Sequence, residues 1–414
     1  METIYRTIAG IDVHKKMLAV VIRRQCGEQV EYQKLKFGTN RATIQDLAAR
    51  LQAAGVSEVV MESTAQYWRP VWNGLEPHFR LHLTHPLKTL APRGRKFDFR
   101  DAQRLTDRWI AGDLVGSFVP NGEMRTWRSL TRRRVQLKKQ LNILYSHVEG
   151  ILEQGGIKLS AVVSDLFGVS GWAMLERIAA GVTDVEVLAG EARGALRNKN
   201  AQLKKALEGE LEPVYRMLLG QQMEQVRLIE RQVEQINQAL AQEMQEQVAR
   251  LQRLTKIPGV DLYAAQELVA EIGPTAGAFA SAERLASWVG VCPGSKQSAG
   301  VNYSHRSAKG NHYLRRLLCQ IAWAAIHTQG TFYASLFARL KPRVEGKGAA
   351  WAVAHRIAKV VWLILHEEVE YQEKGSAPPN ERTLVRKFKR MVKEFGVLGL
   401  DIRALLDQQL PAAP

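Results

Sequence analysis

Asp12, Glu62, Asp98 and Asp101 are the residues of this chain whose types and spacing can do chemistry. Asp12 closes the apolar stretch Thr7-Ile8-Ala9-Gly10-Ile11, and Glu62 closes Val59-Val60-Met61. Asp98 and Asp101 lie three apart, so on a helix they share one face. A carboxylate at the end of an apolar strand is expensive to bury unless it meets a cation or a metal. Each acid could instead cap a strand or pair with a neighbour such as Lys96 or Arg100, a reading that suits one isolated Asp better than four. Such a set would hold Mg²⁺, two ions per site, which activate a nucleophile and stabilise a leaving oxygen in phosphoryl transfer. Arg93, Arg95, Lys96, Arg100, Arg104 and Arg108 crowd the same region and would bind phosphates flanking a scissile bond, although part of them would also suit a solvated helix face.

A second constellation runs from Gly290 to Gly300 through Cys292-Pro293-Gly294-Ser295-Lys296-Gln297-Ser298. Arg306, Lys309, Arg315 and Arg316 follow it. Glycines at both ends allow a close approach by a DNA backbone, and the cations could stabilise charge on a phosphate. A serine in such a loop serves turn chemistry more often than nucleophilic attack. His78, His82 and His85 superficially resemble a metal cluster, but no cysteine lies nearby and His82 falls inside an expected strand, so zinc is not the reading.

These side chains need elements to hold them. Residues 5 to 24 read as two strands joined by a tight turn at His14-Lys15-Lys16, and a third strand runs from Glu31 to Phe37. Ile44, Leu47 and Leu51 have helical spacing within 41–54, and Gly55 suits a C-cap. Strands are expected over 56–61 and 80–84, helices over 67–75 and 98–111. Three strands followed by α, β, α, β, α is the ribonuclease-H-like order. From Met124 to about Gln154, and again from Pro213 to Thr255, the pattern is helical, with near-heptad apolar positions in the second run. Two such helices can pair as a hairpin or as a coiled coil between subunits. Ile257-Pro258-Gly259-Val260 between two helical segments resembles a helix-hairpin-helix element, whose backbone amides can grip a phosphate. Past residue 371 the chain turns polar and basic. The expected division is 1–120, 121–254, 255–370 and a tail 371–414.

The 414 residues suffice for two or three domains with real cores. A formal net charge of +17 and a pI near 9.8 point to a polyanionic partner, nucleic acid ahead of lipid. Three scattered cysteines imply neither a disulfide framework nor a metal site. The N-terminus lacks signal-peptide character, and residues 351–365 contain His355, Arg356 and Lys359, which suit a membrane span poorly. The expectation is a soluble cytoplasmic protein.

Gly10-Ile11-Asp12-Val13-His14-Lys15, Met61-Glu62-Ser63-Thr64 with Tyr67-Trp68, and Lys96-Phe97-Asp98-Phe99-Arg100-Asp101-Ala102 together resemble the DEDD transposases of bridge-RNA-guided insertion sequences, relatives of the Piv invertase. The likeness continues through Ile257-Pro258-Gly259-Val260, Ala270-Glu271-Ile272-Gly273, 293–300, and Lys309-Gly310-Asn311 with Tyr313-Leu314-Arg315-Arg316. Ala65, Phe97 and Ala299 depart from the usual pattern. The resemblance implies a ribonuclease-H-like (Holliday-junction-resolvase-like) N-terminal domain, a helical coiled-coil middle and a mainly α C-terminal transposase domain. It implies Mg²⁺ on Asp12, Glu62, Asp98 and Asp101, and Ser298 as a nucleophile forming a covalent phosphoserine link, with Ser295 a rival on position. Arg95, Lys96, Arg100, Arg104, Lys296, Arg306, Lys309, Arg315 and Arg316 are the expected nucleic-acid contacts. Donor and target DNA, a structured guide RNA and a dimer-to-tetramer homo-oligomer are the implied partners, and a serine-type recombinase the implied enzyme. The rivals are a metal-dependent junction nuclease using water and a non-catalytic DNA- or RNA-binding protein.

Overall fold

Strands β1 (Tyr5–Val13), β2 (Leu18–Cys26) and β3 (Gln29–Phe37) form an antiparallel meander rich in Ile and Val. Helix α1 (Arg41–Ala53) crosses to β4 (Glu58–Glu62), and α2 (Trp68–Leu75) crosses to β5 (Arg80–Thr84). Both later strands run parallel to β1, giving a mixed sheet in the order β3-β2-β1-β4-β5. Helix α3 (Asp98–Ile110) follows. This computed structural model describes residues 5–63, 65–84, 97–294, 296–298, 301–304, 307–375 and 385. The chain divides into two units, Met1–Pro120 and Asn121–Pro414.

In the first unit the pleat assigns the faces. Ala9, Ile11 and Val13 of β1, with Val20, Ile22, Val59 and Met61, pack against Leu47 and Leu51 of α1 and Val71 and Leu75 of α2. Each such aliphatic burial contributes about 1.5–3 kcal/mol. The alternate residues serve the other face, where Val60 packs with Leu105 of α3 and Leu114. Gly10 and Asp12 of β1 and Glu62 of β4 share that second face by the same alternation. The mixed sheet with helices fits a ribonuclease-H-like domain.

The second unit is helical apart from one hairpin among the described residues. Helix α4 (Gly122–Gln154) starts at Asn121, whose side chain accepts from Met124 N at 3.0 Å. Short helices α5 (Val169–Ala179), α6 (Val185–Gly190) and α7 (Asn200–Ala206) follow, and α8 (Pro213–Glu243) returns along α4. The pairing is antiparallel: Met124 and Trp127 share a core with Leu240, Leu141 and Leu144 with Val226, and Leu152 with Leu219. The continuous helix expected over 213–255 is interrupted. Trp127 Nε1 donates to Glu243 O at 3.2 Å, Met244 is buried, and a 3-10 turn at Gln245–Gln247 leads into α9 (Val248–Thr255). The seam consumes the carbonyl and side chain that a straight helix would have kept.

Helices α10 (Leu262–Ile272) and α11 (Ala282–Val289), the hairpin β6 (Lys296–Ser298) and β7 (Val301–Ser304), then α12 (His312–His327) and α13 (Phe332–Glu367) complete the described elements. Leu268, Val269, Leu318, Ile321, Val353, Ile357 and Val361 form the centre of their shared core. Helix α13 is long and apolar enough to cross a membrane by length and composition, and half of its apolar window is buried inside the unit. It is also bent, at Val344 (φ −129°) and Glu345 (φ 60°, ψ 171°), two residues after Pro342.

Candidate active site

The first unit brings together strand ends and a helix start. Ile11 pairs with Met61 across the parallel strands β1 and β4, so Asp12 and Glu62 follow at neighbouring strand ends, on the face that α3 covers. Asp98 and Asp101 occupy the first turn of α3, where the helix dipole favours negative charge.

Helix α3 can sit this low because residue 10 is glycine. A Cβ there would lie 2.2 Å from the Ala102 carbonyl oxygen and 2.8 Å from Thr106 Cγ2. Further along, Arg23 of β2, 8% exposed, donates from Nε to Asp107 Oδ1 at 3.2 Å, and Tyr32 Oη donates to the same oxygen at 2.7 Å. Burial and the Asp107 hydrogen bond push the Tyr32 hydroxyl pKa up. One end of α3 is therefore pinned to β2 and β3, which aims its other end at Asp12.

Asp12 and Asp98 converge on one side chain. His14 Nε2 stands 3.1 Å from Asp12 Oδ2 and 3.3 Å from Asp98 Oδ1. The three ligand atoms of Asp12, His14 and Asp98 all lie within 4.8 Å of one another. Asp12 is 8% exposed. Asp101 meets Arg104 Nη1 at 3.0 Å, one turn along the same helix. Glu62 is half-buried at its strand end. Clustered carboxylate oxygens suit a hard divalent cation, and His14 Nε2 sits between two of them as a positively polarised donor would. His14 is the residue of this cluster that the strand-end argument misses: it lies two residues past Asp12, in the turn, and its backbone N donates to Met17 O at 3.0 Å.

Around this centre, Arg100 lies over the Phe97 ring at 5.1 Å and is exposed, and Arg108 is half-exposed. Arg95 and Lys96 fall outside the described residues, as do Thr64 and His85. His82 is held by Glu58 Oε2 at 3.1 Å and lies 4.1 Å from the Trp109 ring, so it is a packing residue under α3. Burial pushes the His82 pKa down against the pull of Glu58. Burial alone would raise Glu58, but the Trp109 hydrogen bond and the charges of His82 and Arg6 hold it below the usual carboxylate value.

The second unit uses its polar residues differently. Glu271, 2% exposed, accepts from Arg132 Nε at 2.7 Å and Nη2 at 3.0 Å, and from Asn311 Nδ2 at 2.8 Å. Arg128 Nε donates to Ala270 O at 2.9 Å; burial lowers the Arg128 pKa, against the charge of Glu271. Arg134, 1% exposed, donates to Gln266 Oε1 at 2.7 Å and to Tyr263 O at 3.0 Å. Arg316 donates to Glu267 Oε2 and Gln320 Oε1, both at 2.6 Å, while burial pushes the Glu267 carboxyl up.

These bonds join α4, α10 and α12, and the base of the β6–β7 segment lies at the start of α12. A Cβ on Gly310 would lie 2.1 Å from Val289 O, and one on Gly290 (φ 81°) would lie 2.6 Å from Ala308 O, so the two chain ends touch backbone to backbone. Arg315 Nη1 donates to both sides, to Ala308 O at 2.7 Å and to Gly290 O, and its guanidinium lies 4.7 Å from the Trp351 ring centre. Arg315 and Arg316 are thus committed to protein partners, and Lys309 is exposed. Ser298 ends β6 with its backbone paired to Val301. The side chains of Lys296 and Ser298, and Ser295, Ala299, Gly300 and Arg306 entirely, lie outside the described residues. Gly259 (φ 83°) turns its Cα hydrogens toward α12, where a Cβ would meet Ile321 O at 2.6 Å.

Residues 9–156 match the family model DEDD_Tnp_IS110, described as a transposase. Residues 251–335 match the Transposase IS116/IS110/IS902 family, Transposase_20. No curated protein matches the chain. The first match corrects the serine-type enzyme expected from the sequence. The match points to a DEDD transposase of ribonuclease-H type, whose nuclease-type chemistry differs from that of a serine recombinase.

Proposed function

We propose that this chain, a DEDD transposase of the IS110 family, moves an insertion sequence by Mg²⁺-dependent cleavage and joining of DNA strands at the Asp12–Asp98 site. The observation that carries this reading is the convergence of Asp12 and Asp98, from a strand end and a helix start, on His14 Nε2. Asp12, Glu62, Asp98 and Asp101 would hold the metal, which supplies Lewis acidity toward a phosphate oxygen and lowers the pKa of an attacking water. His14 orients the two carboxylates. Arg95, Lys96, Arg100 and Arg104 bind the phosphates on either side of the scissile one, and Lys296, Arg306 and Lys309 bind DNA further along its backbone. Arg315 and Arg316 serve from within the protein, Arg315 by fixing the base of the β6–β7 segment and Arg316 by tying α12 to α10. Water attacks the phosphorus, the P–O3′ bond breaks, and the proton moves to solvent; the freed 3′-hydroxyl then attacks a target phosphate and displaces its O3′ in turn.

The net charge of +17 supports more than one polyanionic partner. We assign the second to a structured guide RNA that pairs with donor and target and so chooses sequence for a protein that grips backbone. Met217 and Leu228 of α8 are exposed at 54% and 48%, which supports a coiled-coil seam between copies in addition to the α4–α8 hairpin. The α9–α10 hairpin adds backbone amides for a DNA phosphate in the manner of a helix-hairpin-helix element. The setting is the cytoplasm of a prokaryotic cell.

The test uses the full chain with its guide RNA and a duplex carrying the element end. With Mg²⁺ present, the wild type should nick the duplex and Asp98→Ala should not. Full cleavage by Asp98→Ala, or cleavage unaffected by chelation, would sink the assignment.

A further inference from the structure

The bend in α13 concentrates charge. Between residues 338 and 348 stand Arg339, Lys341, Arg343 and Lys347 against the single acid Glu345. All four cations are exposed, and none has a carboxylate partner among the described residues; Lys341 Nζ lies 5.9 Å from the Phe337 ring centre. Several other cations of this unit are paired, among them Arg250 with Glu368 at 3.0 Å, Lys256 with Glu370 at 2.6 Å and Lys359 with Glu283 at 2.6 Å. The segment lies beyond both family matches, the later of which ends at residue 335.

The backbone at the same place is unusual. Glu345 has φ 60° and ψ 171°, a region occupied almost only by glycine, and a new helical arm starts at Gly346. First-turn amides of such an arm have no intrahelical acceptor and favour anions. A Cβ at Gly346 would have nothing within 4 Å, so the backbone is open to close approach. Cations, free amides and an open backbone together match phosphate oxygens. Residues 338–348 themselves carry no aromatic side chain on which an unpaired base could stack, which favours a duplex over single-stranded recognition.

We propose that the bend at residues 339–347 is a docking site for the phosphate backbone of duplex DNA, separate from the carboxylate centre and blind to sequence. The proposal rests on the reading that the chain acts on DNA and adds a site to it. The four cations and the amides at Gly346–Gly348 neutralise phosphates, and the strained turn at Glu345 keeps both arms short enough for the cations to cluster.

The experiment measures equilibrium binding of the full chain to a 30-bp duplex in EDTA across a range of salt. The variant Arg339→Gln/Lys341→Gln/Arg343→Gln/Lys347→Gln should bind at least about tenfold more weakly at 0.1 M salt, and the salt slope should fall by about 0.9 for each phosphate left unneutralised. Unchanged affinity and slope overturn the proposal. A weakening confined to a competing RNA hairpin also overturns it and assigns the bend to RNA. Should the fourfold variant melt lower than wild type, Glu345→Gly decides instead. Glycine adopts the turn without strain and removes the only acid, so duplex binding should tighten about twofold or more, and no change overturns the proposal. Because EDTA silences the metal chemistry, failure here leaves the Asp98→Ala result intact, and the reverse also holds.

Discussion

Asp12 with Asp98 in the first unit and Glu271 in the second are both clustered, buried or half-buried acids, and they have opposite surroundings. Glu271 is closed: a guanidinium takes both of its oxygens, Asn311 adds a third hydrogen bond, and Arg128 stands 3.8 Å away. The Asp12–Asp98 pair meets an imidazole nitrogen, while the guanidinium of Arg104 goes to Asp101. An acid saturated by arginine is a joint between helices, here α4, α10 and the start of α12. An acid pair gathered on a removable donor, at strand ends beneath a helix start, is a place where a stronger cation can come and go. The difference between joint and site lies in the partner, since the acids are of the same kind.

This contrast can be broken at several points. Glu271→Ala should strand Arg132 and Arg128 without their anion and cost about 3–5 kcal/mol, read as a large fall in the denaturant midpoint of the second unit. Asp98→Ala should do the reverse: cleavage falls at least about a hundredfold, some 2.7 kcal/mol in barrier, while the melting temperature holds or rises. If Asp98→Ala also destabilises the fold by several kcal/mol, the two clusters are not different in kind. Gly10→Ala should cost about 1–3 kcal/mol, because its methyl group must push α3 away from the sheet. The same displacement should weaken divalent-metal binding measured by calorimetry, and unchanged metal affinity would separate α3 seating from the site. The smallest effect is acid sensitivity. Folding depresses the pKa of His82 below its ordinary 6.5 and of Glu58 below its ordinary 4.5. The stability each contributes is therefore complete above those values and is lost as pH falls below them. Replacing His82 by Phe should flatten the loss of melting temperature between pH 7 and pH 5; an unaltered profile would place the acid sensitivity elsewhere.

The alternation in Ile8 to Asp12 and in Val59 to Glu62 was enough to read two strands ending in acids, and helical spacing was enough for α3. The order of elements along the chain was legible too, whereas the strand order β3-β2-β1-β4-β5 rests on the pairing of β1 with β4. What local pattern could not carry was long-range. Gly10 is one small residue in an apolar strand until Ala102 is seen against it. His14 looks like part of a turn, because its role depends on Asp98, which lies 84 positions later. Arg315 and Arg316 look like surface cations next to a glycine-rich loop, yet their partners are a carbonyl on Gly290 and a carboxylate on Glu267. The break at Met244 was equally hidden, since only Trp127, on another helix, supplies the reason for it.

The apolar length of α13 has a consequence for how the protein is made. Its main packing partners in the core, α9, α11 and α12, all precede it in the chain. Synthesis proceeds from the N-terminus at about 5–20 residues per second. When the stretch that could pass for a membrane span emerges from the ribosome, α9 and α11 have been outside for seconds and α12 has just preceded it. Had the same helix been encoded first, it would have waited uncovered, exposed to insertion machinery and to aggregation. Gene order here acts as a chaperone.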